Sequence, residues 1–365
     1  MFSEYIKNID IDYYKNIWES STENDVRIVL QKEKINIEDF AVLLSPNSLE
    51  VLNDIANKAR EKTIKRFGYN INLYTPLYIS NYCVNACSYC SFNTNLKIER
   101  KHLEIKDIEK ECEIIKSEGF DSILLVSGED RKRVNLEYLT EAVRVAKKYF
   151  SYVAIEVYPL EEKEYRILID NGLDGVTLYQ ETYEKKVYKE YHKGPKANYQ
   201  YRLDTMDRAA RARIKKINIG SLLGLNDFRK EAIYLAHHIN YLRKKYWYVE
   251  LALSFPRIRP NAGGFNPVYP IADKELVLLI SIFRLFDESL SLVLSTRESE
   301  KFRNGMIRIC VNTISAGSKT NPGGHLDSKA GKQFEIADSR NPNEIYKYLK
   351  SIGYEPVWKD WEKVL

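Results

Sequence analysis

The stretch INLYTPLYISNYCVNACSYCSF, from Ile71 to Phe92, joins a predicted β-strand to a loop that carries three of the chain's five cysteines. These three, Cys83, Cys87 and Cys90, have the spacing Cys-x-x-x-Cys-x-x-Cys, which brings three thiolates into one small volume. A closed structural zinc site normally uses four protein ligands, and a 4Fe–4S cluster that only carries electrons uses four cysteines. Three ligands therefore predict a 4Fe–4S cluster in which one iron is left open for chemistry.

A purely structural role is the competing interpretation, because cysteine is often a small buried hydrophobic residue and two separated cysteine pairs form a zinc ribbon. The second pair of such a ribbon is missing from this sequence. The other two cysteines, Cys112 and Cys310, occur singly in the apolar segments EKECEIIKSEG and MIRICVNTIS. We therefore predict that these two are core residues and that the three cysteines of the loop are metal ligands.

The composition is that of a globular protein large enough for one α/β barrel with extensions, since 44% of its 365 residues are hydrophobic and 29% are charged. No apolar run is long enough to cross a bilayer, and the start MFSEYIKNID does not resemble a signal peptide. The net charge of +5 is spread along the chain, which argues against a nucleic-acid-binding surface. These features predict a protein that binds neither nucleic acid nor membrane. Because an open thiolate-bound cluster needs a reducing compartment, we also expect the protein to be cytoplasmic.

The periodicity of apolar residues divides the chain into three parts. Residues 1–70 are predicted to be helical and to pack around or beneath the rest as an N-terminal extension. Residues 71–320 alternate eight short apolar runs with amphipathic helices, the pattern of a parallel (β/α)8 TIM barrel. Residues 321–365 are predicted to be a C-terminal extension that packs on the barrel. The predicted strands begin at Ile71, Ser122, Tyr152, Gly175, Lys216, Trp247, Leu290 and Ile307, the last reading IRICVNTI.

Polar residues follow every predicted strand, at the end where TIM-barrel enzymes place their active sites. The first strand leads into the cysteine loop. The other seven end in Ser127-Gly128-Glu129, Glu156, Tyr179 to Tyr183, Gly220 to Gly224, Ser254 to Arg257, Ser295 to Glu298 and Ser315 to Ser318. Eight converging polar ends, one of which carries a metal loop, predict an active site at this face of the barrel.

The cysteine loop resembles that of the radical S-adenosylmethionine (SAM) superfamily, including an aromatic residue, Tyr89, before the last cysteine. In that superfamily the open iron of the 4Fe–4S cluster chelates the amino and carboxylate groups of SAM. The resemblance implies that Ser127-Gly128-Glu129 stands for the Gly-Gly-Glu element that holds the methionyl amino group, with serine replacing the first glycine. It further implies ribose and sulfonium contacts for Glu156 and Glu181, and a SAM carboxylate contact for Arg202.

A longer resemblance, from about Tyr74 to Trp361, is to the aromatic amino acid lyases of the superfamily. It is carried by PLYISNYCVNACSYC, LYQETYEKKVYKEYHKGPKANYQYRLDTMDRAARA, IGSLLGLNDFR, LSFPRIRP, LSTRE, ISAGSKTNPGG and GYEPVWKDW. The sequence is most similar to the tyrosine lyases of anaerobic thiamine biosynthesis. This implies cleavage of L-tyrosine at Cα–Cβ to 2-iminoacetate (dehydroglycine) and p-cresol, with SAM yielding 5′-deoxyadenosine and methionine. It also implies a complex with thiazole synthase and an electron donor of the flavodoxin or ferredoxin type.

An amino acid in a barrel mouth needs a cation for its carboxylate, and a guanidinium forms a two-pronged pair with that group. The resemblance implies Arg297 for this role, with Tyr78 and either Ser315 or Ser318 as hydrogen-bonding neighbours. The alternative for Arg297 is an ion pair with Glu298 or with another acidic residue of the surface. Two further arginines, Arg257 and Arg259, are the other candidates for the carboxylate. Their loop, FPRIRPNAGGFNP, is a candidate lid, and His192 is a candidate proton donor.

Three other functions are alternatives to a tyrosine lyase. A lyase that acts on tryptophan or another aromatic amino acid is the closest alternative, because no residue that binds the phenol is identifiable. The maturase of iron-only hydrogenase has an added C-terminal domain with a second cysteine-bound cluster, whereas no cysteine follows Cys310 here. An electron-transfer iron–sulfur protein would have a fourth cysteine nearby, which this sequence lacks.

Overall fold

The computed structural model describes residues 1–358 and contains a closed barrel of eight parallel strands. Each strand pairs with the next one along the chain, and the first strand pairs with both the second and the eighth. This confirms the predicted (β/α)8 TIM barrel. The strands are β1 (Asn70–Ser80), β2 (Ser122–Ser127), β3 (Tyr152–Glu156), β4 (Gly175–Thr177), β5 (Lys216–Gly220), β6 (Glu250–Ser254), β7 (Ser291–Leu294), β8 (Thr313–Ser315) and the additional β9 (Glu355–Val357).

Helices cover the outside of the barrel, so both faces of most strands are buried and the strands read as continuous apolar runs. No helix within residues 1–358 has the length and apolar character needed to cross a bilayer. The α-helices are α1 (Phe2–Tyr5), α2 (Ile11–Ser20), α3 (Glu23–Gln31), α4 (Ile37–Leu43), α5 (Leu52–Phe67), α6 (Ile105–Ser117), α7 (Leu136–Tyr149), α8 (Glu162–Asp170), α9 (Lys185–Tyr191), α10 (Tyr199–Leu203), α11 (Thr205–Arg211), α12 (Phe228–Lys245), α13 (Asp273–Phe286), α14 (Glu300–Ile309) and α15 (Pro342–Ser351).

The first five helices pack on the flank of the barrel, where α4 contacts α12 and α13, and α5 contacts α13 and α14. The start of the chain is fixed by buried carboxylates: the backbone N–H of Phe2 donates to Asp207 (3.0 Å), and that of Ser3 donates to Asp204 (2.9 Å). The ring of Phe2 stacks on His238 with the ring centres 3.9 Å apart. The N-terminal extension is thus joined to the barrel's outer helices.

The eighth strand is not where the sequence pattern placed it. The predicted strand IRICVNTI begins at Ile307, whereas α14 continues to Ile309 and β8 starts only at Thr313. Met306, Ile307 and Cys310 are buried at helical spacing, and a short apolar run of this kind fits either a strand or one face of a helix. The sixth strand is also shorter than predicted, because Trp247 is 79% exposed and precedes β6.

The C-terminal part adds one strand that the sequence pattern did not predict. Strand β9 runs parallel to the start of β1, where Asn70 pairs with Glu355 and Asn72 with Val357. It therefore lies at the opposite end of the barrel from the predicted active site. The KDW part of the ending, Lys359 to Trp361, lies outside the described residues.

Candidate active site

Three adjoining cavities open at the C-terminal ends of the strands. We call them the cluster cavity (about 670 Å³), the inner cavity (about 570 Å³) and the side cavity (about 530 Å³). Together they are lined by every residue that the sequence singled out for the cluster, SAM and the amino acid, except Arg257. Another cavity, of about 680 Å³, lies at the opposite end of the barrel beside β9 and is lined by none of those candidates.

The cysteine loop is held against the end of β2 by main-chain and side-chain hydrogen bonds. The N–H of Val84 donates to the carbonyl oxygen of Glu129 (2.8 Å), and the side-chain amide of Asn85 donates to the carboxylate of Glu129 (2.6 Å). Gly128 permits this contact, because a Cβ atom at that position would lie 2.4 Å from the carbonyl oxygen of Tyr82. A glycine is therefore required where the turn after β2 meets the loop.

The three cysteines of the loop line the cluster cavity, while Cys112 and Cys310 are fully buried elsewhere, as predicted for core residues. Within residues 1–358 no three histidine, cysteine or carboxylate side chains are gathered around a position for a single metal ion. Three thiols spread around one cavity suit a cluster of several irons, which has thiolate ligands on different metal atoms.

The rest of the cluster cavity has the groups that SAM requires. The hydroxyl oxygen of Ser127 is buried there without a hydrogen-bond partner, next to Gly128 and the half-buried Glu129. Such an unsatisfied buried group is costly unless something else binds it. The cluster cavity is also lined by both carboxylates and cations. These can pair with the ammonium and the carboxylate of a zwitterionic methionyl group. The residues present thus fit SAM at this position.

Glu181 follows β4 in a left-handed backbone conformation (φ 71°), which is strained for a residue other than glycine. Its carboxylate lies 2.7 Å from the ammonium of Lys196 and 3.3 Å from the guanidinium of Arg202. Burial alone would raise the pKa of Glu181, but the two cations lower it below its usual value. The structure therefore holds an ionised carboxylate, on a residue with a strained backbone, between the cluster and side cavities.

Lys196 is a site residue that the sequence reasoning missed. It lines the cluster and side cavities, and its ammonium lies over the ring of Tyr89 (5.5 Å to the ring centre). Arg202, the predicted partner of the SAM carboxylate, also donates to the carbonyl oxygen of Tyr179 (2.9 Å) and so has less capacity for a ligand. Lys196 lies in the segment HKGPK, and nothing in that segment distinguishes it from an ordinary surface lysine.

Glu156, at the end of β3, lines all three cavities. Within the described chain no hydrogen bond to its carboxylate is present. Burial raises the pKa of Glu156 to about 7, although the positive charge of Arg297 opposes this shift. A carboxylate without a protein partner at the junction of the cavities is available to accept hydrogen bonds from a ligand.

Arg297, after β7, faces the inner and side cavities with its guanidinium stacked on Phe334, 3.5 Å from the ring centre. The alternative ion pair with Glu298 is not formed, because Arg257 pairs with Glu298 and with Asp273 (2.8 Å) instead. Arg257 is thus unsuited to bind a substrate. Arg259 lines the side cavity with its Nε atom unpaired, so it remains a candidate.

The predicted neighbours of Arg297 all line the inner cavity. The hydroxyl of Tyr78 donates to the side-chain oxygen of Gln333 (2.6 Å), and the hydroxyl of Ser315 accepts from the N–H of Thr296 (3.1 Å). The hydroxyl of Ser318 is buried without a partner. Of the two serines, Ser318 is therefore the freer to bind an amino acid carboxylate.

His192 is buried and both of its ring nitrogens are engaged. Its Nδ1 lies 2.6 Å from the carbonyl oxygen of Tyr188 and must carry a proton, so its Nε2 accepts from the hydroxyl of Tyr89 (2.7 Å). Burial lowers the pKa of His192 to about 3, with further lowering from the charge of Lys196. A neutral histidine in this position orients Tyr89 and has no proton to give, so the geometry does not support the proton-donor hypothesis.

We expect this histidine to make folding stability depend on pH. Below about pH 6.5 the unfolded chain binds a proton at His192, whereas the folded chain does so only near its lowered pKa of about 3. The free energy of unfolding should therefore fall as the pH falls between these values, by up to about 1.4 kcal/mol per pH unit for this group. Denaturant unfolding of His192→Gln should show a shallower loss between pH 7 and 5. Parallel profiles for the variant and the parent would contradict this expectation, and His102→Gln, at a less buried histidine, is the control.

Two segments cross the mouth of the barrel. The candidate lid after β6 is joined to the cysteine loop, since the N–H of Ala262 donates to the hydroxyl of Ser91 (2.9 Å). The second segment, residues 331–337, which we call the strap, brings Gln333 and Phe334 to the cavities. The strap was not predicted from the sequence, because this segment lacks periodicity and the residues that it contacts are far away in the chain.

Comparisons with known proteins show which families the chain is similar to. A family model described as the Radical SAM superfamily matches residues 77–236, and one described as the Biotin and Thiamin Synthesis associated domain matches residues 254–355. The chain is 39% identical to the 2-iminoacetate synthases of Salmonella typhimurium (strain LT2) and Escherichia coli (strain K12), over all of this chain and 97% of each relative.

The fold of the chain is similar to that of solved structures. The crystal structure of HydG, a maturase of the [FeFe]-hydrogenase, has a TM-score of 0.90 and 32% identity, and the match covers 98% of this chain and 80% of that structure. Methylornithine synthase (PylB) has a TM-score of 0.75 at 21% identity, covering 91% of this chain and 97% of that structure. The latter likeness concerns the fold alone.

Proposed function

Because this chain belongs to the family of 2-iminoacetate synthases within the radical SAM superfamily, we propose that the site described above cleaves L-tyrosine at Cα–Cβ. The products are 2-iminoacetate and p-cresol. The observation that carries this function is the identity of 39% over the full chain, together with a site whose residues fit the cluster, SAM and an amino acid. The enzyme is a carbon–carbon lyase with a 4Fe–4S cluster and SAM as cofactors.

The cluster cavity is assigned to both cofactors. Cys83, Cys87 and Cys90 would hold the cluster, and Ser127, with the backbone of Gly128, would hold the methionyl group. When bound, the cluster and SAM supply an adenosyl radical that removes a hydrogen atom from the substrate. The neighbouring carboxylates, Glu156 and Glu181, and the cation Lys196 would bind the ribose, the sulfonium and the SAM carboxylate. Tyr89, under the ammonium of Lys196, and Arg202, paired with Glu181, would hold these groups in position.

The inner cavity is assigned to L-tyrosine. Arg297 binds the carboxylate in a two-pronged pair, with the unpaired hydroxyl of Ser318 as a further donor and Ser315 and Tyr78 beside it. Because the inner cavity shares Glu156 with the cluster cavity, the amino acid is held next to SAM. This proximity matters, since a primary radical abstracts the hydrogen that it meets first.

The test is an anaerobic assay of the reconstituted protein with dithionite and SAM, given L-tyrosine or L-tryptophan in parallel. We expect p-cresol and glyoxylate, the hydrolysis product of 2-iminoacetate, with tyrosine alone. Consumption of tryptophan, or formation of 5′-deoxyadenosine with neither amino acid cleaved, would overturn the substrate assignment.

We further propose that an acidic one-electron donor protein, of the flavodoxin or ferredoxin type, docks beside the cysteine loop. Val84 in this loop is 47% exposed, and it is flanked by two exposed lysines. The N–H of Val84 donates to the carbonyl oxygen of Glu129, which precedes Lys132 by three residues. Two residues further along the loop, the N–H of Ala86 donates to the carbonyl oxygen of Lys193 (3.2 Å). In the described part of the chain neither lysine forms an ion pair. An apolar centre with basic flanks is complementary to an acidic protein and adjoins the metal ligands.

Reversal of both charges, in Lys132→Glu/Lys193→Glu, should slow reduction by a flavodoxin about tenfold or more at low ionic strength, because electrostatic attraction speeds association. The measurement is flavodoxin-driven formation of 5′-deoxyadenosine, and the rate with dithionite, which needs no docking, should be unchanged. The control Lys34→Glu/Lys347→Glu makes the same charge change at exposed residues of other surfaces. Equal slowing in the control would place the donor elsewhere.

We also propose that the product passes to thiazole synthase in a complex. The support is chemical: 2-iminoacetate hydrolyses in water, so its producer benefits from direct transfer. Co-purification of the two proteins under anaerobic conditions tests the complex, and their separate elution at micromolar concentration would contradict it.

A further inference from the structure

The strap is joined to the loops at the barrel mouth by backbone hydrogen bonds. Four of its backbone N–H groups, at alternate residues, donate to loops that follow four different barrel strands. The pairs are Gly331 with Glu99 (2.8 Å), Gln333 with Thr320 (2.8 Å), Glu335 with Pro260 (3.1 Å) and Ala337 with Thr296 (2.8 Å). A segment fixed in this way presents its side chains to the cavities in one defined position.

Gln333 occupies the junction of the three cavities. Only three side chains, those of Glu156, Tyr179 and Gln333, are common to the linings described above for all three. The first two are barrel residues, whereas Gln333 reaches the same point from the strap. A group bound in the inner cavity and a group bound in the cluster cavity would both adjoin this side chain.

The hydrogen bond to Tyr78 defines what Gln333 offers to a ligand. Since the phenol of Tyr78 donates to its side-chain oxygen (2.6 Å), the two N–H groups of the amide are left as donors. In residues 1–358 no acceptor for them is present. The next residue, Phe334, carries the guanidinium of Arg297 on its ring, so the free amide lies near the cation assigned to the substrate carboxylate.

We propose that Gln333 is a substrate-positioning residue whose amide donates to the carboxylate of the amino acid beside Arg297, while its oxygen holds Tyr78 in place. This inference rests on the proposed function. The carboxylate is thereby held both from the barrel, by Arg297, and from the strap, by Gln333, which fixes the orientation of the amino group toward the cluster cavity. Nothing in the strap's sequence predicts this role.

The test compares Gln333→Met, which removes the amide at similar length, with Gln333→Glu, which still accepts from Tyr78 but places a negative charge at the carboxylate. Equilibrium dialysis of labelled tyrosine against the SAM-loaded, unreduced enzyme measures binding without turnover. We expect binding about tenfold weaker in Gln333→Met and weaker still in Gln333→Glu. Tyramine, which lacks the carboxylate, should bind the parent and Gln333→Met equally well.

Tyr78→Phe is the matched control, since it removes the same Tyr78–Gln333 hydrogen bond but leaves the amide donors. A smaller loss of tyrosine binding in Tyr78→Phe than in Gln333→Met supports the proposal. Equal losses in the two variants, or equal weakening of tyramine and tyrosine, would overturn it and leave Gln333 as a support for Tyr78 only. Retained iron content and SAM binding show that each variant is folded. If the parent enzyme binds no tyrosine in the same dialysis, the proposed function fails instead.

Discussion

Replacement of Cys83, Cys87 or Cys90 by serine is expected to remove the iron–sulfur cluster and all detectable cleavage of SAM. These cysteines are the three that line the cluster cavity, and a cluster that already has one open iron cannot lose another protein ligand and stay bound. The measurements are iron and sulfide content, the cluster's visible absorbance and the formation of 5′-deoxyadenosine. The loss should be complete, in contrast to the graded effects expected elsewhere in the site.

The control for this experiment is Cys112→Ala, at a cysteine buried in α6 away from the site. This change should cost about 1 kcal/mol of stability or somewhat more, through lost packing, and leave the iron content unchanged. Iron loss in Cys112→Ala, or a full cluster in any of the three loop variants, would contradict the assignment of the ligands.

Arg297→Leu is expected to reduce kcat/KM for tyrosine roughly 30- to 5,000-fold, because removing one partner of a buried charge pair costs about 2–5 kcal/mol. The guanidinium is held by Phe334 and forms no ion pair with Glu298, so it is available to pair with the substrate carboxylate. The affinity for SAM, measured separately by equilibrium dialysis, should change little. Arg297→Lys should recover only part of the loss, since an ammonium cannot form the two-pronged pair.

Arg259→Leu is the comparison variant, because Arg259 lies in the same mouth and has an unpaired Nε. Its effect on kcat/KM should be much smaller than that of Arg297→Leu. The reverse order would mean that Arg259 binds the carboxylate and that Arg297 supports it.

The sequence was sufficient to predict the barrel and the metal loop, because both are encoded locally. Eight apolar runs and their polar ends are short patterns, and the three cysteines fall within eight residues. What local patterns cannot predict are contacts between distant segments. Tyr78 and Gln333 are 255 positions apart, so no pattern indicates that they meet. The same limit explains why Lys196 and β9 were missed. The end of α14 was mistaken for the start of a strand for a different reason, because a short apolar run fits either a strand or one face of a helix.

The distance along the chain between Tyr78 and Gln333 also bears on the order in which the enzyme is made. During translation the cysteine loop leaves the ribosome about 240 residues before the strap does. The metal ligands can therefore come together while the amino acid site still lacks the strap. The N-terminal anchor of Phe2 on Asp207 likewise waits for about 200 residues to be added. Competence for tyrosine is thus among the last properties that the newly synthesised chain acquires.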